Sequence, residues 1–154
     1  MNRHMKNILL GFVLIFLLIQ IIQPARNQYY GQVPSTDISK VYKIPDNVQS
    51  VLRNSCYDCH SNSTHYPFYS YIQPLSYYLE KHIKKGKEEL NFSEWGSYSH
   101  RKQTNKLESI VNQIKQKKMP LTSYTYLHPE AKLSGKQIEE IVRWIELTQA
   151  ENEK

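Results

Sequence analysis

Hydrophobic positions along the chain form one long apolar run followed by four amphipathic segments. The run, from Ile8 to Ile22, contains one strongly polar residue, Gln20. In the four later segments apolar residues recur at i, i+3, i+4 and i+7, which is the spacing of one face of a helix. No segment shows the sustained alternation of a β-strand, so the pattern predicts an all-α fold.

The first two amphipathic helices have recognisable ends. One is expected to begin near Asp46, a plausible N-cap, and to lead directly into Cys56. The next is expected to begin at Pro74, a favoured first-turn residue, and to end around Gly86. The face of this second helix that is expected to point inward comprises Leu75, Tyr78, Leu79 and His82.

The third and fourth helices also carry terminal signals. The third is predicted over residues 100–118 and must stop at Met119, because Pro120 disfavours a helical conformation in the residue before it. The fourth begins at Ser134, which forms a capping box with Gln137 three residues later. Together the four helices predict one small helical domain.

The N-terminal apolar run has the features of a membrane signal. Arg3 and Lys6 precede it, and Gln23 and Pro24 follow it, but no small-residue cleavage pattern is present. An uncleaved signal anchor over residues 1–26 is therefore favoured over a cleaved signal peptide. The positive residues at its start place the N-terminus in the cytoplasm and the remaining chain on the outer side of the membrane.

Residues 27–43 are polar and include Gly31 and Pro34, a composition typical of a linker or a loosely packed arm. The domain itself is then expected to occupy residues 44–150. This assignment divides the chain into an anchor, a linker and one domain.

The charge of the chain is modest once the N-terminal segment is set aside. The formal net charge is +6, and Arg3, Lys6 and Arg26 supply three of these charges. The remaining +3 is too small to indicate a nucleic-acid partner. It is enough to steer an acidic redox partner at low ionic strength.

The only two cysteines lie in a C-x-x-C-H motif formed by Cys56, Cys59 and His60. This spacing is typical of covalent haem attachment. Two thiols three positions apart can bond the two vinyl groups of one haem, and the following imidazole can ligate its iron. The motif therefore predicts one haem c.

Two other kinds of site use similar residues. A closed zinc site would need a fourth ligand, and the sequence offers no second C-x-x-C; His60 and His65 have a suitable spacing, but His60 directly follows Cys59. A redox dithiol of the thioredoxin type would need surrounding strands, which the pattern does not show. Haem is the favoured interpretation.

Met119 is the best candidate for the second axial ligand of the iron. Apart from Met1 and Met5 of the N-terminal segment, it is the only methionine, and Pro120 stiffens the chain beside it. His/Met ligation raises the reduction potential and suits electron transfer. The alternatives are a core role for Met119, an open or water-bound position, or ligation by a histidine, namely His65, His82, His100 or His128.

The chain resembles the small bacterial haem-binding-domain family of c-type cytochromes over roughly residues 41–148. The resemblance rests on CYDCHSNSTHYPFYSYIQP, LNFSEW, KMP with the aromatic stretch after it, and the final helix containing Trp144. It implies a cytochrome c-like helical fold whose first and last helices pack together. It also implies attachment through Cys56 and Cys59, proximal ligation by His60 and distal ligation by Met119. Trp95, Tyr98 and Arg101 are candidates to bond the haem propionates.

These observations lead to an expected function. The chain is expected to be a mono-haem, membrane-anchored cytochrome that transfers electrons to or from a protein partner at the outer face of the cytoplasmic membrane. The alternative is a haem-based sensor or accessory haem-binding module. An enzyme such as a peroxidase is not expected, because no distal histidine is paired with Arg53 or Arg101 by sequence.

Overall fold

The structure is a computed structural model that describes residues 2–152. All regular elements in this range are helical, so the predicted all-α class is confirmed. The helices are α1 Arg3–Ile19, α2 Ile38–Val41, α3 Asp46–Ser55, α4 Tyr57–His60, α5 Leu75–Glu89, α6 His100–Lys115, α7 Thr122–Leu127 and α8 Gly135–Asn152. Short 3₁₀ turns lie at Phe68–Tyr71, Phe92–Ser97 and Pro129–Ala131.

The hydrophobic core forms where α3, α6 and α8 meet. Each helix contributes the stripe that its apolar periodicity predicts. The most deeply buried members are Val48 and Leu52 from α3, Leu107 and Ile114 from α6, and Ile141, Trp144 and Ile145 from α8. The first and last helices of the domain are therefore in contact, as the family resemblance implies.

Local signals fix several helix ends. The capping box forms as predicted: the Ser134 N–H donates to Gln137 Oε1 at 2.8 Å, and the Gln137 N–H donates to Ser134 Oγ at 3.3 Å. Helix α3 begins at Asp46 itself, with Pro45 in the N-cap position. Helix α6 ends at residue 115 rather than 118, because the chain turns at Lys117 with a φ of 55°.

The inward face predicted for α5 is wrong. Ser76 and Ile83 are its buried residues, whereas Leu75 and Tyr78 are exposed. The contacts of α5 are with α4 and the 3₁₀ turn at Phe68–Tyr71, and these neighbours meet the helix on a different stripe. The helix also continues past Gly86 to residue 89.

The linker description is wrong for the end of residues 27–43. Ile38 is fully buried in the core, and Asp37 is buried beside it. Asp37 caps α2 by accepting a hydrogen bond from the Ser39 N–H, and the Thr36 hydroxyl donates to the Ser93 carbonyl at 2.7 Å. The polar composition concealed a short capped helix that docks on the Phe92–Ser97 turn.

Residues 3–19 of the predicted anchor segment form α1, a helix of 17 residues with no buried residue. Within residues 2–152, no helix combines the length and the apolar character that crossing a membrane requires.

Candidate functional site

The C-x-x-C-H motif lies on one short turn between α3 and α5. The N–H groups of Cys59 and His60 both donate to the Cys56 carbonyl, at 3.2 Å and 3.0 Å, and close the turn that becomes α4. Both cysteines are half-buried free thiols, and Cys56 packs against the hydrophobic core. Local backbone hydrogen bonding therefore presents two thiols and an imidazole from a single helical turn.

The imidazole of His60 is held by two backbone carbonyls, one inside α5 and one just beyond its end. Its Nδ1 lies 2.9 Å from the Gly86 oxygen and 3.1 Å from the Leu90 oxygen. Carbonyl oxygens only accept hydrogen bonds, so Nδ1 must carry the proton. Burial lowers the pKa of His60, which favours the neutral ring. The lone pair is then on Nε2, the state in which a histidine ligates a metal.

Gly86 allows α5 to approach the motif this closely. A Cβ placed on Gly86 would lie 2.7 Å from the carbonyl oxygen of Cys59. Any other residue would push the helix away from α4 and separate His60 from its carbonyl partners. The prediction that the helix ends at Gly86 did not include this role. A glycine inside an otherwise good helix is the sequence signal of such a close approach.

The environment of the thiols differs from that of a redox dithiol. Burial raises the pKa of Cys56 to about 12, with a smaller contribution from the charge of Cys59. Burial also raises the pKa of Cys59 to about 11, assisted by the charge of Asp58. Redox-active C-x-x-C pairs instead depend on a lowered thiol pKa.

The zinc alternative also lacks a suitable ligand set. Among residues 2–152, no three side chains of histidine, cysteine, aspartate or glutamate converge as a metal site would require. A closed zinc site needs four such ligands around one centre.

Asp58, inside the motif, anchors α7 against α4. Its Oδ2 accepts a hydrogen bond from the Tyr124 hydroxyl at 2.8 Å, and its Oδ1 accepts one from the His65 N–H at 2.9 Å. Burial and this bond to Asp58 raise the pKa of Tyr124, so the phenol remains a donor. Neither Asp58 nor Tyr124 carries a sequence signature of this contact, because its partners lie 66 positions apart.

Two of the four histidines that are alternative ligands have other hydrogen-bond partners, and two are exposed. His128 is largely buried. Its Nε2 lies 2.6 Å from the Tyr69 hydroxyl, and its ring stacks on Tyr124. On α5, His82 directs Nδ1 to the Tyr78 carbonyl at 2.8 Å. The remaining two, His65 and His100, are exposed.

Met119 is half-buried just beyond α6 and lines a cavity of about 460 Å³. Its neighbours there include Ile114, Leu133 and Ile138, which belong to the hydrophobic core or pack against it. None of the three motif residues lines this cavity. The cavity and the motif border the same core, because Cys56 packs against it as well.

Aromatic rings connect the motif to the domain interior. Tyr57 stacks on Phe92 with ring centroids 5.1 Å apart, and the His60 ring meets the same phenylalanine edge-on at 6.3 Å. Phe92 in turn stacks on Trp95, which is fully buried. The indole N–H of Trp95 has no hydrogen-bond partner among the described residues.

Arg101, which was predicted with Trp95 and Tyr98 as a residue that could bond the haem propionates, is exposed.

The residues of the site fit a haem. The free Nε2 of His60 suits an axial position, and the two thiols on the same turn suit two vinyl groups. The N–H of Trp95 is one of two buried indole donors without a partner among the described residues, the other being that of Trp144. These features do not fit a dithiol or a closed zinc site.

Comparison with known proteins agrees with this chemistry. No curated protein and no solved structure matches the chain. A family model described as a haem-binding domain matches residues 14–147, which is most of the chain. The chain therefore belongs to the haem-binding-domain family.

Proposed function

We propose that the chain is a mono-haem c-type cytochrome that transfers electrons at the outer face of the cytoplasmic membrane. Haem binding follows from the family; covalent attachment, the number of haems and electron transfer belong to the proposal. The observation that carries it is the pair of hydrogen bonds from His60 Nδ1 to the Gly86 and Leu90 carbonyls.

Each residue of the motif would hold the haem in a different way. Each thiol, of Cys56 and of Cys59, would add across one vinyl double bond, its sulfur bonding one carbon and its hydrogen the other. This addition needs no oxidant or reductant. His60 would provide the proximal nitrogen, and the two carbonyls would fix the ring and strengthen it as a donor. Met119 is the proposed distal ligand.

The proposed ligands indicate electron transfer rather than catalysis on a substrate. When bound, haem supplies an iron that changes by one electron between its ferric and ferrous states. A sulfur ligand at the distal position would leave no vacant position for a substrate. The exposed apolar surface of α1 would keep the domain beside redox partners in the membrane. We propose that the protein is not an enzyme. A turnover assay with peroxide should then show no peroxidase activity.

The test is the covalent bond. Full-length protein matured in a host able to attach haem should keep its haem in the protein pellet after acid-acetone extraction. The double variant Cys56→Ser/Cys59→Ser should release any haem into the solvent, whereas the neighbouring control Ser55→Ala should behave like the wild type. Matured wild-type protein that is colourless, or that carries zinc, would refute the proposal.

A second candidate function is a haem-based sensor or accessory module. The position of Met119 favours it, because the methionine lines a cavity that none of the motif residues shares. A weak or absent sulfur ligand would leave room for a small gas. Rapid, stoichiometric binding of carbon monoxide to the reduced protein without denaturant would support the sensor; failure to bind would support electron transfer.

A further inference from the structure

Apolar and aromatic side chains lie exposed around the start of α5. Exposed fractions are 83% for Phe68, 58% for Tyr71, 40% for Ile72, 47% for Leu75 and 55% for Tyr78. Phe68 and Tyr71 are three residues apart in a 3₁₀ turn, where such pairs share one side. Ile72, Leu75 and Tyr78 follow at the same spacing into α5, where such residues are neighbours. We call these five residues the aromatic patch.

Gln73 lies between Ile72 and Leu75 of the aromatic patch. It forms hydrogen bonds with residues that directly follow α1. Its N–H donates to Gln20 Oε1 at 2.8 Å, and Gln20 Nε2 donates back to the Gln73 carbonyl at 3.3 Å. Gln73 Nε2 donates to the Ile22 carbonyl at 2.5 Å, and Gln23 Nε2 donates to the Tyr71 carbonyl at 3.2 Å. This network explains why the apolar run contains one polar residue: the side chain of Gln20 binds the backbone of Gln73 in the domain.

The network holds the aromatic patch beside the end of α1. Ile21 and Ile22, which join α1 to the network, are themselves highly exposed. Arg26, a few residues further, lies over the rings of Tyr66 and Tyr71 at 4.6 Å and 4.2 Å from their centroids. Aromatic rings and a cation at the exit of an apolar helix are the arrangement found at the water interface of a bilayer.

We propose that the aromatic patch lies in the boundary between headgroups and acyl chains of the bilayer that holds α1. The haem domain would then rest on the lipid in one fixed orientation instead of swinging on a tether. Lipid is the occupant that the observations favour, because the patch is held against the end of the helix that the membrane would receive. This inference rests on the membrane attachment included in the proposed function.

Lipid crosslinking tests the contact directly. Full-length haem-loaded protein is placed in phosphatidylcholine vesicles that contain lipid with a photoactivated diazirine in its acyl chain, and crosslinks are located by mass spectrometry. Label is expected on α1 and on residues 68–78. Leu147 on α8, an exposed leucine outside the patch, should stay unlabelled.

A matched pair of variants sharpens the result. Phe68→Ser/Ile72→Ser/Leu75→Ser should lose the label from residues 68–78 and keep the label on α1 and the haem absorbance. Leu147→Ser should leave the labelling unchanged. The wild-type map decides the question even if the triple variant fails to fold.

The outcomes separate this inference from the function on which it rests. Label on α1 without label on residues 68–78 would overturn the patch and leave membrane attachment standing. The absence of label from both would overturn the attachment as well, while acid-acetone extraction would still decide covalent haem binding. Label on Leu147 as strong as that on residues 68–78 would also overturn the inference, because the patch would then have no preference for lipid.

Discussion

The substitution Gly86→Ala tests the close approach that orients His60. The added Cβ would lie 2.7 Å from the Cys59 carbonyl oxygen, and 3.3 Å from the carbonyl carbon and Cβ of the same residue. A carbon and a carbonyl oxygen normally approach to about 3.3–3.6 Å, so the two backbones must separate by roughly 0.6–0.9 Å. The shortest contact is with a main-chain carbonyl, which cannot rotate away as a side chain can.

Two energies of opposite sign compete in this variant. Alanine inside a helix is favoured over glycine by up to about 1 kcal/mol. Overpacking against a rigid neighbour costs about 1–3 kcal/mol, and the upper part of that range applies because backbone must move. We therefore expect a net loss of about 1–2 kcal/mol in the free energy of unfolding. Most of it should arise from the displacement of α5 from α4.

The same displacement of α5 should also weaken the hydrogen bond from His60 Nδ1 to the Gly86 carbonyl. A shift of roughly 0.6 Å along the 2.9 Å contact between His60 Nδ1 and the Gly86 oxygen would stretch it beyond the ordinary limit of about 3.2 Å. A weaker hydrogen bond to Nδ1 makes the imidazole a poorer donor, so the reduction potential of the bound haem should rise.

Urea denaturation and potentiometry of the detergent-solubilised haem protein measure both effects. Gly135→Ala is the matched control, because a Cβ at the first residue of α8 meets nothing within 4 Å. The control should be as stable as the wild type or more stable, with an unchanged potential. A Gly86→Ala protein that behaves like the control would refute the close packing of α5 on α4.

Three further substitutions test separate parts of the structure. Met119→Ala should keep the haem but lose the weak far-red absorption band of a sulfur-ligated ferric haem; a retained band would exclude Met119 as the ligand. Ile38→Ala should lower the free energy of unfolding by about 2–5 kcal/mol, because the side chain is fully buried in the core. The exposed control Val33→Ala should stay within about 0.5 kcal/mol, and equal urea midpoints for the two variants would contradict the docking of α2. Tyr124→Phe removes the hydroxyl that donates to the carboxylate between the cysteines and should cost about 1 kcal/mol in urea denaturation, whereas the exposed control Tyr126→Phe should cost nothing measurable.

The features that the sequence determined are those encoded within a few neighbouring residues. The capping box at Ser134 and the apolar stripe of α8 form as predicted, because their partners lie three or four positions away along the chain. The C-x-x-C-H motif is likewise local, since three residues on one turn define its chemistry. Haem as the cofactor follows from that motif and agrees with the family.

Tertiary structure decided which groups meet across the chain. The periodicity of α5 offered more than one stripe, and the positions of α4 and of the Phe68–Tyr71 turn selected the face with Ser76 and Ile83. The carbonyl partners of His60 could not be predicted, because every residue has a carbonyl and none carries a sequence signature. The role of Gln20 was hidden for the same reason: its partners are the backbone groups of Gln73, more than fifty residues away, and only folding brings them together.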